Sequence, residues 1–258
     1  MLTIYPIPAF TDNYIWMIVD DHSKNAMVVD PGDAAPVLDF LRCNHLSLKA
    51  ILITHKHYDH SGGVGELLSY FPGTPVYVNQ KENIAQTTHF TVENEILNIP
   101  NFPLALTVID IPAHTIGHVA YYSAPYLFCG DTLFTAGCGR LFEGSATQML
   151  SSLKKLAALP DETQVYCGHE YTLSNIRFAL TVDPNNEALQ TRYLDAQKLR
   201  KLKQPTVPST IRLEKLTNPF LRCHYPEMID AVSKHTHKKC ENEDDVFQAL
   251  REWKNYVK

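Results

Sequence analysis

The sequence predicts a mixed α/β domain followed by a smaller, all-helical domain, and three observations support this fold class. Short apolar runs of strand length recur through the first two thirds of the chain, with amphipathic helical patterns between some of them. Four of these runs end in residues that can bind a metal ion. After Tyr171 the strand signals disappear and helical patterns take over. We therefore predict two domains, 1–171 and 172–258.

Composition limits the possible functions. The chain has 258 residues, of which 45% are hydrophobic and 20% charged, as in a globular protein with a sizeable core. A net charge of -5 argues against a general nucleic-acid binder, which needs a positive surface. We find no signal peptide, no apolar run of membrane-spanning length and no C-x-x-C pair among the six cysteines. These features predict a cytoplasmic enzyme with neither a nucleic-acid nor a membrane partner, and we expect a monomer.

The first elements are a hairpin and a helix. Apolar strands at 15–20 and 26–30 flank a polar turn, which indicates a β-hairpin. A helix is predicted over 34–43 because Val37, Leu38 and Leu41 recur at helical spacing. Asp30 stands before Pro-Gly, where a carboxylate usually orders its own turn, so we expect it to support a nearby site at most.

The next strand, 50–53, leads into Thr-His-Lys-His-Tyr-Asp-His at 54–60. A lone histidine here would more often be an ordinary polar residue, but three histidines and an aspartate within six positions indicate divalent metal binding. His55 and His57 can share one ion, which leaves Asp59 and His60 for a second. Ser61 is the predicted N-cap of the helix that starts at Val64.

The same pattern recurs at three later strand ends. His114 follows the strand 104–111, Asp131 follows 126–129, and His169 follows 164–167. Active sites commonly lie in the loops beyond the carboxyl ends of strands, so we expect these side chains to converge on the first cluster. The remaining predicted elements are strands at 75–78, 96–99 and 119–122 and an amphipathic helix at 147–159.

The last third of the chain contains four predicted helices. They cover 173–180, 187–202, 208–216 and 244–256. In the last of them Arg251 and Lys254 are three residues apart and emerge on one face. For most helices such a pair is solvated surface.

Two levels of family resemblance follow from these residues. Thr-His-x-His-x-Asp-His at 54–60, with His114, Asp131 and His169, resembles the metallo-β-lactamase superfamily, whose fold is an αββα sandwich with a two-metal site between its sheets. More narrowly, the chain resembles the glyoxalase II, or hydroxyacylglutathione hydrolase, family over nearly its whole length. The stretches that carry this narrower resemblance are Asp12-Asn13-Tyr14, 136–140, 168–172 and Asn218-Pro219-Phe220.

The resemblance implies a complete ligand set for two metal ions. It assigns His55, His57 and His114 to one ion and Asp59, His60 and His169 to the other, with Asp131 as the bridge. It also makes Asp59 and Asp131 the catalytic carboxylates, and it gives His118 a supporting place around the ligands. Two divalent ions are expected, most often zinc, although these ligands also suit iron and manganese.

The implied activity is hydrolysis of S-D-lactoylglutathione to glutathione and D-lactate by a metal-bridging hydroxide, the second step of methylglyoxal detoxification. The implied glutathione contacts are Arg140, Leu141, Phe142, Tyr171, Arg251 and Lys254. Relatives often have Lys at 140 and Tyr at 142, so Phe142 removes a hydroxyl donor here. Because Arg251 and Lys254 lie in the helical domain, we expect that domain to form one wall of the substrate cleft.

Other members of the superfamily provide alternatives. A β-lactamase usually has Cys at the position of Asp131 and lacks the helical domain, and an RNA-processing nuclease needs a phosphate-binding surface. Flavodiiron proteins typically have Glu where His57 stands, together with a flavin domain. A persulfide dioxygenase holds a single iron with ligands that overlap His55, His57 and His114, so metal stoichiometry distinguishes it. A non-catalytic metal site is disfavoured because such sites commonly use Cys ligands.

Overall fold

The computed structural model describes residues 1–257, and the chain divides into two compact units. The first unit contains Met1–Asp110 and Thr115–Gly130. The second contains Ile111–His114 and the chain from Asp131 onward. The helices after residue 171 therefore belong to the same compact unit as the preceding 40 or so residues. The division into domains at 171/172 stays a prediction.

The first unit contains a six-stranded sheet whose strands lie in chain order. Its strands are β1 (Leu2–Ala9), β2 (Asn13–Asp20), β3 (Asn25–Val29), β4 (Ser47–Leu52), β5 (Val76–Asn79) and β6 (His89–Thr91). The predicted hairpin is confirmed, because β2 and β3 pair antiparallel with Trp16 opposite Val29. From β3 onward the neighbours are parallel. The sequence did not predict β1, which contains Pro6 and Pro8 and lies at the sheet edge, where proline is tolerated.

The first unit has three α-helices, of which the first and third pack into the core of this sheet. They are α1 (Ala34–Cys43), α2 (Tyr58–Ser61) and α3 (Val64–Tyr70). The bounds predicted for α1 are confirmed, and the Asp33 side chain caps it by accepting from Ala35 N. Val37 and Leu41 of α1 pack in one core cluster with Ile51 and Ile53.

The prediction that Ser61 caps the next helix is wrong. Ser61 is the last residue of α2, and its hydroxyl donates to the carbonyls of Lys56 and His57. The residue before α3 is Gly63, which makes no side-chain cap. The helical turn α2 carries Asp59 and His60.

Four further strands of the first unit are consecutive antiparallel neighbours. They are β7 (Ile96–Asn98), β8 (Ala105–Asp110), β9 (Val119–Ser123) and β10 (Tyr126–Gly130), and the strands predicted in these places are confirmed. Val119 N donates to the carbonyl oxygen of Thr54 at 3.0 Å. This bond joins the start of β9 to the loop after β4, where the histidine cluster begins.

The second unit is mainly helical. Its strands are the short pairs β11 (Leu133–Phe134) with β12 (Gly137–Cys138), and β13 (Gln164–Cys167) with β14 (Ser209–Thr210). Its helices are α4 (Ala146–Ala157), α5 (Thr172–Val182), α6 (Glu187–Lys201), α7 (Ile211–Thr217), α8 (Pro226–Thr236) and α9 (Glu243–Tyr256). A capping box of Ser145 and Gln148 starts α4.

The predicted helices of this unit are confirmed to within about three residues, but one helix and several short elements were not predicted. The helix is α8, which begins with Pro226 at its first helical position. The short elements include the two-residue strands β11, β12 and β14, of which β14 lies within the region expected to be purely helical. Helix α4 packs against α7, α9 and the turn at Pro219–Leu221. None of the helices within residues 1–257 has the length and apolar character needed to cross a membrane.

Candidate metal centre

Two predicted metal ligands follow the end of β4 directly. His55 Nε2 lies 3.0 Å from His57 Nδ1, and the two rings meet edge to face. His55 is fully buried, and the His60 ring centroid lies 4.1 Å from its own. The imidazole nitrogens of His55 and His57 are thus close enough to face one metal ion.

Asp59 and His60 form a second pair of potential ligands on α2. The distance from Asp59 Oδ2 to His60 Nε2 is 3.5 Å. The amide of Asn13, in β2, donates to Asp59 Oδ2 at 2.9 Å and so fixes the carboxylate. Because Nε2 of His60 is the nitrogen that faces Asp59, these two side chains can contribute one oxygen and one nitrogen ligand to a single ion.

Asp30 organises both pairs, so it does more than order its own turn. Its carboxylate is buried and accepts from Thr54 N and Thr54 Oγ1, each at 2.7 Å. Its Oδ2 also lies 3.0 Å from His60 Nδ1. This contact occupies Nδ1 and leaves Nε2 of His60 toward Asp59, which is the usual way in which a carboxylate orients a metal-binding histidine. The Thr54 hydroxyl lies 3.0 Å from His55 Nδ1, so Asp30 influences His55 as well.

His118 has the supporting place expected of it. Its ring is buried and stacks on the ring of His55, with centroids 4.6 Å apart and planes 15° apart. The stacking limits rotation of the His55 ring.

Asp131, at the start of the second unit's long segment, lies between two histidines. Its Oδ2 is 3.5 Å from His114 Nε2 and 3.3 Å from His169 Nε2. His114 Nδ1 lies 2.8 Å from the carbonyl oxygen of Arg140, to which it can donate, so Nε2 faces Asp131. The His169 ring stacks on Tyr171 with centroids 4.7 Å apart. One carboxylate flanked by two imidazoles is the arrangement that a bridging ligand requires.

A charged pocket lies nearby within the second unit. Its volume is about 300 Å³, and the two arginines Arg140 and Arg251 are among the residues that line it. The complete lining is Arg140, Leu141, Ser145, Ala146, Gln248, Arg251, Glu252 and Asn255. Of the six predicted glutathione contacts, three line this pocket. Phe142, Tyr171 and Lys254 are not part of it: the Phe142 ring is 57% exposed, and Tyr171 packs on His169.

Arg251 and Lys254 are not the solvated pair that is common on helix surfaces. Arg251 is only 6% exposed, and its Nε donates to the carbonyl oxygen of Gly139 at 3.0 Å. Its Nη1 is buried without a hydrogen-bond partner among residues 1–257. Lys254 Nζ donates to Asn175 Oδ1 at 2.7 Å. A buried guanidinium nitrogen without a partner is suited to bind an anionic ligand.

Burial changes the acidity of several groups here. Desolvation lowers the pKa of Lys254 to about 8, and it also lowers the pKa of Arg251. Desolvation raises the pKa of the Cys138 thiol to about 11, although the nearby charges of Arg251 and Lys254 oppose this. Burial likewise raises the pKa of Cys167 to about 12. Both thiols are therefore protonated at neutral pH.

Sequence reasoning missed the residues that hold the loop between Asp131 and Arg140. Asn218 Nδ2 donates to the carbonyl oxygens of Phe134 and Gly137, at 3.1 and 2.9 Å. Glu214 accepts from Ala136 N at 2.8 Å, and Asn175 donates to the carbonyl of Thr135 at 3.0 Å. Asn218 belongs to the Asn-Pro-Phe motif, but Asn175 and Glu214 lie inside helices, where nothing in the sequence marked them.

The donors fit divalent metal ions. The potential metal ligands are histidine nitrogens and carboxylate oxygens. The other ring nitrogen of His60 contacts a carboxylate, and that of His114 contacts a backbone carbonyl, so both rings are oriented. Since structural zinc sites are commonly closed by Cys ligands, this donor set is closer to that of a catalytic centre.

Comparison with known proteins first identifies the superfamily to which the chain belongs. Residues 10–169 match the family model of the metallo-beta-lactamase superfamily. The crystal structure of the B3 metallo-beta-lactamase BLEG-1 is 27% identical, with a TM-score of 0.63, and the match covers 86% of this chain and 99% of that one. The protein TTHA1623 in a di-iron-bound form is 26% identical with a TM-score of 0.55, over 64% of this chain and 91% of that one. The predicted fold class, a mixed α/β metallo-β-lactamase domain followed by a helical C-terminal part, is confirmed.

The narrower family follows from the rest of the chain. Residues 170–257 match the model described as the hydroxyacylglutathione hydrolase C-terminus. The hydroxyacylglutathione hydrolases of Nitrosomonas eutropha and Vibrio parahaemolyticus are each 50% identical over 257 residues, which is 99% of this chain and 99% of each relative. The chain belongs to the hydroxyacylglutathione hydrolase, or glyoxalase II, family. This fold and its histidine and aspartate groups fit a dinuclear divalent metal site.

Proposed function

We propose that this protein hydrolyses the thioester bond of S-2-hydroxyacylglutathiones, with S-D-lactoylglutathione as substrate and glutathione and D-lactate as products. One observation carries the proposal. A single loop, residues 131–140, joins the carboxylate between His114 and His169 to the pocket that contains Arg140 and Arg251. Metal ligands and anion-binding groups are thereby held by one segment.

The charges of the pocket complement glutathione. Glutathione carries two carboxylates and one ammonium group, and the pocket contains the two cations Arg140 and Arg251 with the anion Glu252. Arginine can bind a carboxylate through two parallel hydrogen bonds. The unpartnered Nη1 of Arg251 would donate one of these hydrogen bonds. Lys254, held by Asn175, would add positive charge beside the pocket while its pKa of about 8 keeps it mostly protonated at neutral pH.

We propose the seven ligands that the family resemblance implies. His55, His57 and His114 would hold one ion and Asp59, His60 and His169 the other, with Asp131 shared. Two bound divalent ions would supply Lewis acidity, lowering the pKa of the attacking water and polarising the thioester carbonyl. Zinc is the proposed metal. Iron is the second candidate, because the similar protein TTHA1623 has a di-iron-bound form.

The protein's own residues would bind the ligands and the glutathione, and they would not act as nucleophile. Cys138 and Cys167 belong to the same segments as Asp131 and His169, and raised pKa values of about 11 and about 12 keep them protonated. The leaving glutathione thiolate has a conjugate acid with a pKa of about 8.5, so it departs without a general acid. Asp131 and the histidines beside it hold the reacting centre.

We also propose that the chain acts as a cytoplasmic monomer and that residues 172–258 are the substrate-binding part of the enzyme. All six cysteines are free thiols, which suits a reducing compartment. Arg251 and Lys254 of α9 support the substrate-binding role. Light scattering on protein eluted from a size-exclusion column would measure its molar mass, and the mass of a dimer would contradict the proposed monomeric state.

The experiment that tests the function is hydrolysis of S-D-lactoylglutathione by the purified, metal-replete protein, followed as loss of thioester absorbance. Turnover that a chelator abolishes, with two metal ions bound per chain, is the expected result. A β-lactam substrate and a persulfide substrate are assayed in parallel. Turnover of either of those without thioester hydrolysis, or one iron per chain, would contradict the proposal.

A further inference from the structure

A buried carboxylate lies behind the histidine cluster of the first unit, and it is not among the proposed metal ligands. Glu82 ends a short 3-10 turn, Gln80–Glu82, that follows β5. Its side chain is 1% exposed. Both of its oxygens accept backbone hydrogen bonds: Oε2 accepts from Lys56 N at 2.6 Å, and Oε1 accepts from Gly117 N at 2.7 Å. Neither donor is a cationic side chain.

The two donors belong to different loops around the proposed centre. Lys56 stands between His55 and His57 in the chain, and Gly117 immediately precedes His118, whose ring stacks on His55. The same two loops are joined directly by the bond from Val119 N to the carbonyl of Thr54. Glu82 therefore supplies a second, independent connection, and the two connections together fix the relative position of the loops.

Space around Gly117 shows how closely the carboxylate is fitted. A Cβ atom added at Gly117 would lie 2.6 Å from Glu82 Oε1 and 2.8 Å from Lys81 Cβ. The Gln80–Glu82 turn is itself held, because the Asn79 side chain accepts from Lys81 N at 3.0 Å. A shift of the Glu82 carboxylate away from Gly117, or an added side chain at Gly117, would therefore break one of its two hydrogen bonds.

We propose that Glu82 is a positioning residue of the metal centre. By binding Lys56 N and Gly117 N together, it holds the loop of His55 and His57 against the loop of His118 in the geometry that a metal ion requires. The inference rests on the proposed metal-dependent function, since it assigns Glu82 a role in that same centre.

The test is the Zn²⁺ affinity of Glu82→Gln, measured by competition with a chromophoric chelator well below the melting temperature. Glutamine has the shape of glutamate but only one acceptor oxygen, so one of the two backbone N–H groups would face an NH2 group. Loss of such supporting contacts typically lowers metal affinity about 10- to 100-fold, and we expect a loss in that range. An affinity within twofold of the wild type would overturn the proposal.

The matched control is Glu95→Gln. Glu95 also accepts two hydrogen bonds, from His89 Nε2 and Val92 N, but away from the ligand loops. We expect it to lower the melting temperature of the metal-free protein without changing Zn²⁺ affinity. An equal loss of affinity in the control would show that general loosening, and not Glu82, controls metal binding, and the proposal would fail.

Two further measurements keep the result decisive. If Glu82→Gln does not fold, Gly117→Ala is measured, because its Cβ would displace Oε1 from the Gly117 amide. The same loss of affinity is expected, and unchanged affinity would overturn the proposal. Wild-type protein that binds no Zn²⁺ would overturn both this inference and the proposed function. Unchanged Zn²⁺ affinity in the variants would overturn only this inference and would leave the proposed function standing.

Discussion

Asp131 is the residue whose surroundings argue most directly for a shared metal ligand. Its Oδ2 lies within 3.5 Å of the Nε2 atoms of both His114 and His169. We expect Asp131→Ala to lower kcat/KM by more than about 100-fold, beyond the effect of most supporting residues, and to lower the metal content measured by elemental analysis. The far-UV spectrum should stay that of the wild type.

The control for Asp131 is Asp161→Ala. Asp161 is half exposed and pairs with Lys215 on the surface, where an ion pair contributes little to stability. Both metal content and activity should match the wild type. Full activity in the Asp131 variant would remove it from the ligand set.

Lys254 predicts a pH dependence of substrate binding. Because burial lowers its pKa to about 8, the ammonium group loses its proton as pH rises through that value. A lysine attracts a carboxylate only below its pKa, so KM for the glutathione thioester should rise by about tenfold between pH 7 and pH 9.5. The measurement is a series of initial rates at fixed ionic strength.

Lys254→Arg is the diagnostic variant, since arginine keeps its charge throughout this range. Its KM should be nearly flat from pH 7 to pH 9.5. The same rise in both proteins would assign the titration to another group.

Phe142 offers a gain-of-affinity test. Its ring lies edge-on to His114 with centroids 5.2 Å apart, and more than half of it is exposed. Phe142→Tyr adds a hydroxyl that can donate to glutathione, and one neutral hydrogen bond corresponds to a fall in KM of about two- to tenfold. The value of kcat should not change. Phe142→Leu, which adds no donor, should not lower KM; an equal fall in both would show that the hydroxyl is not the cause.

Among the elements, what could be predicted followed from strong local patterns. The helix Ala34–Cys43 and the strand Gln164–Cys167 were predicted with their observed bounds, because a cap or turn and a clear apolar period mark both. Strands β1 and β14 were missed because their local patterns are weak. Two prolines hide β1, and β14 has only two residues, so its pairing depends on tertiary contacts that no local pattern encodes.

The residues of the candidate site likewise divide into those that the sequence could predict and those that it could not. The histidines and aspartates could be predicted because chemistry concentrates them at strand ends. Asn175, Glu214 and Glu82 could not, since each acts through backbone groups that are distant in sequence. The burial of Arg251 was also beyond sequence reasoning, because a basic residue on an amphipathic helix normally faces water.

The loop between Asp131 and Arg140 supplies a prediction about an element. The fully buried Asn218 bonds the carbonyls of Phe134 and Gly137 as well as Glu214. Asn218→Ala leaves these acceptors without their donor, which should lower the free energy of unfolding by about 2–4 kcal/mol in urea titrations. KM should also rise, because the loop carries Arg140.

Asn186→Ala is the control for Asn218→Ala. Asn186 caps α6 by accepting from Leu189 N, so its loss should cost about 1 kcal/mol of stability. It does not bind the loop, and KM should remain that of the wild type. If both variants changed KM alike, global destabilisation would account for the effect of Asn218→Ala.

For the molecule as a whole, the compact units bear on how the helical part contributes. Sequence reasoning treats residues 172–258 as a wall that binds substrate, so their removal would mainly raise KM. The structure groups them with the chain from Asp131 onward. Helices α7 and α9 pack on α4, and Asn175, Glu214, Asn218 and Arg251 all hold the loop that follows Asp131.

A chain ending at residue 171 should therefore lose its metal as well as its substrate affinity. Removal of α7 and α9 exposes the part of α4 that packs on them, and burying one large apolar side chain is worth about 1.5–3 kcal/mol. We expect the 1–171 fragment to aggregate or to melt without cooperativity, with low zinc content. The full-length variant Arg251→Ala provides the contrast, since it should raise KM while it retains metal and melts cooperatively. A 1–171 fragment that melts cooperatively with two metal ions bound, and differs only in KM, would show instead that the helices are an independent substrate-binding domain.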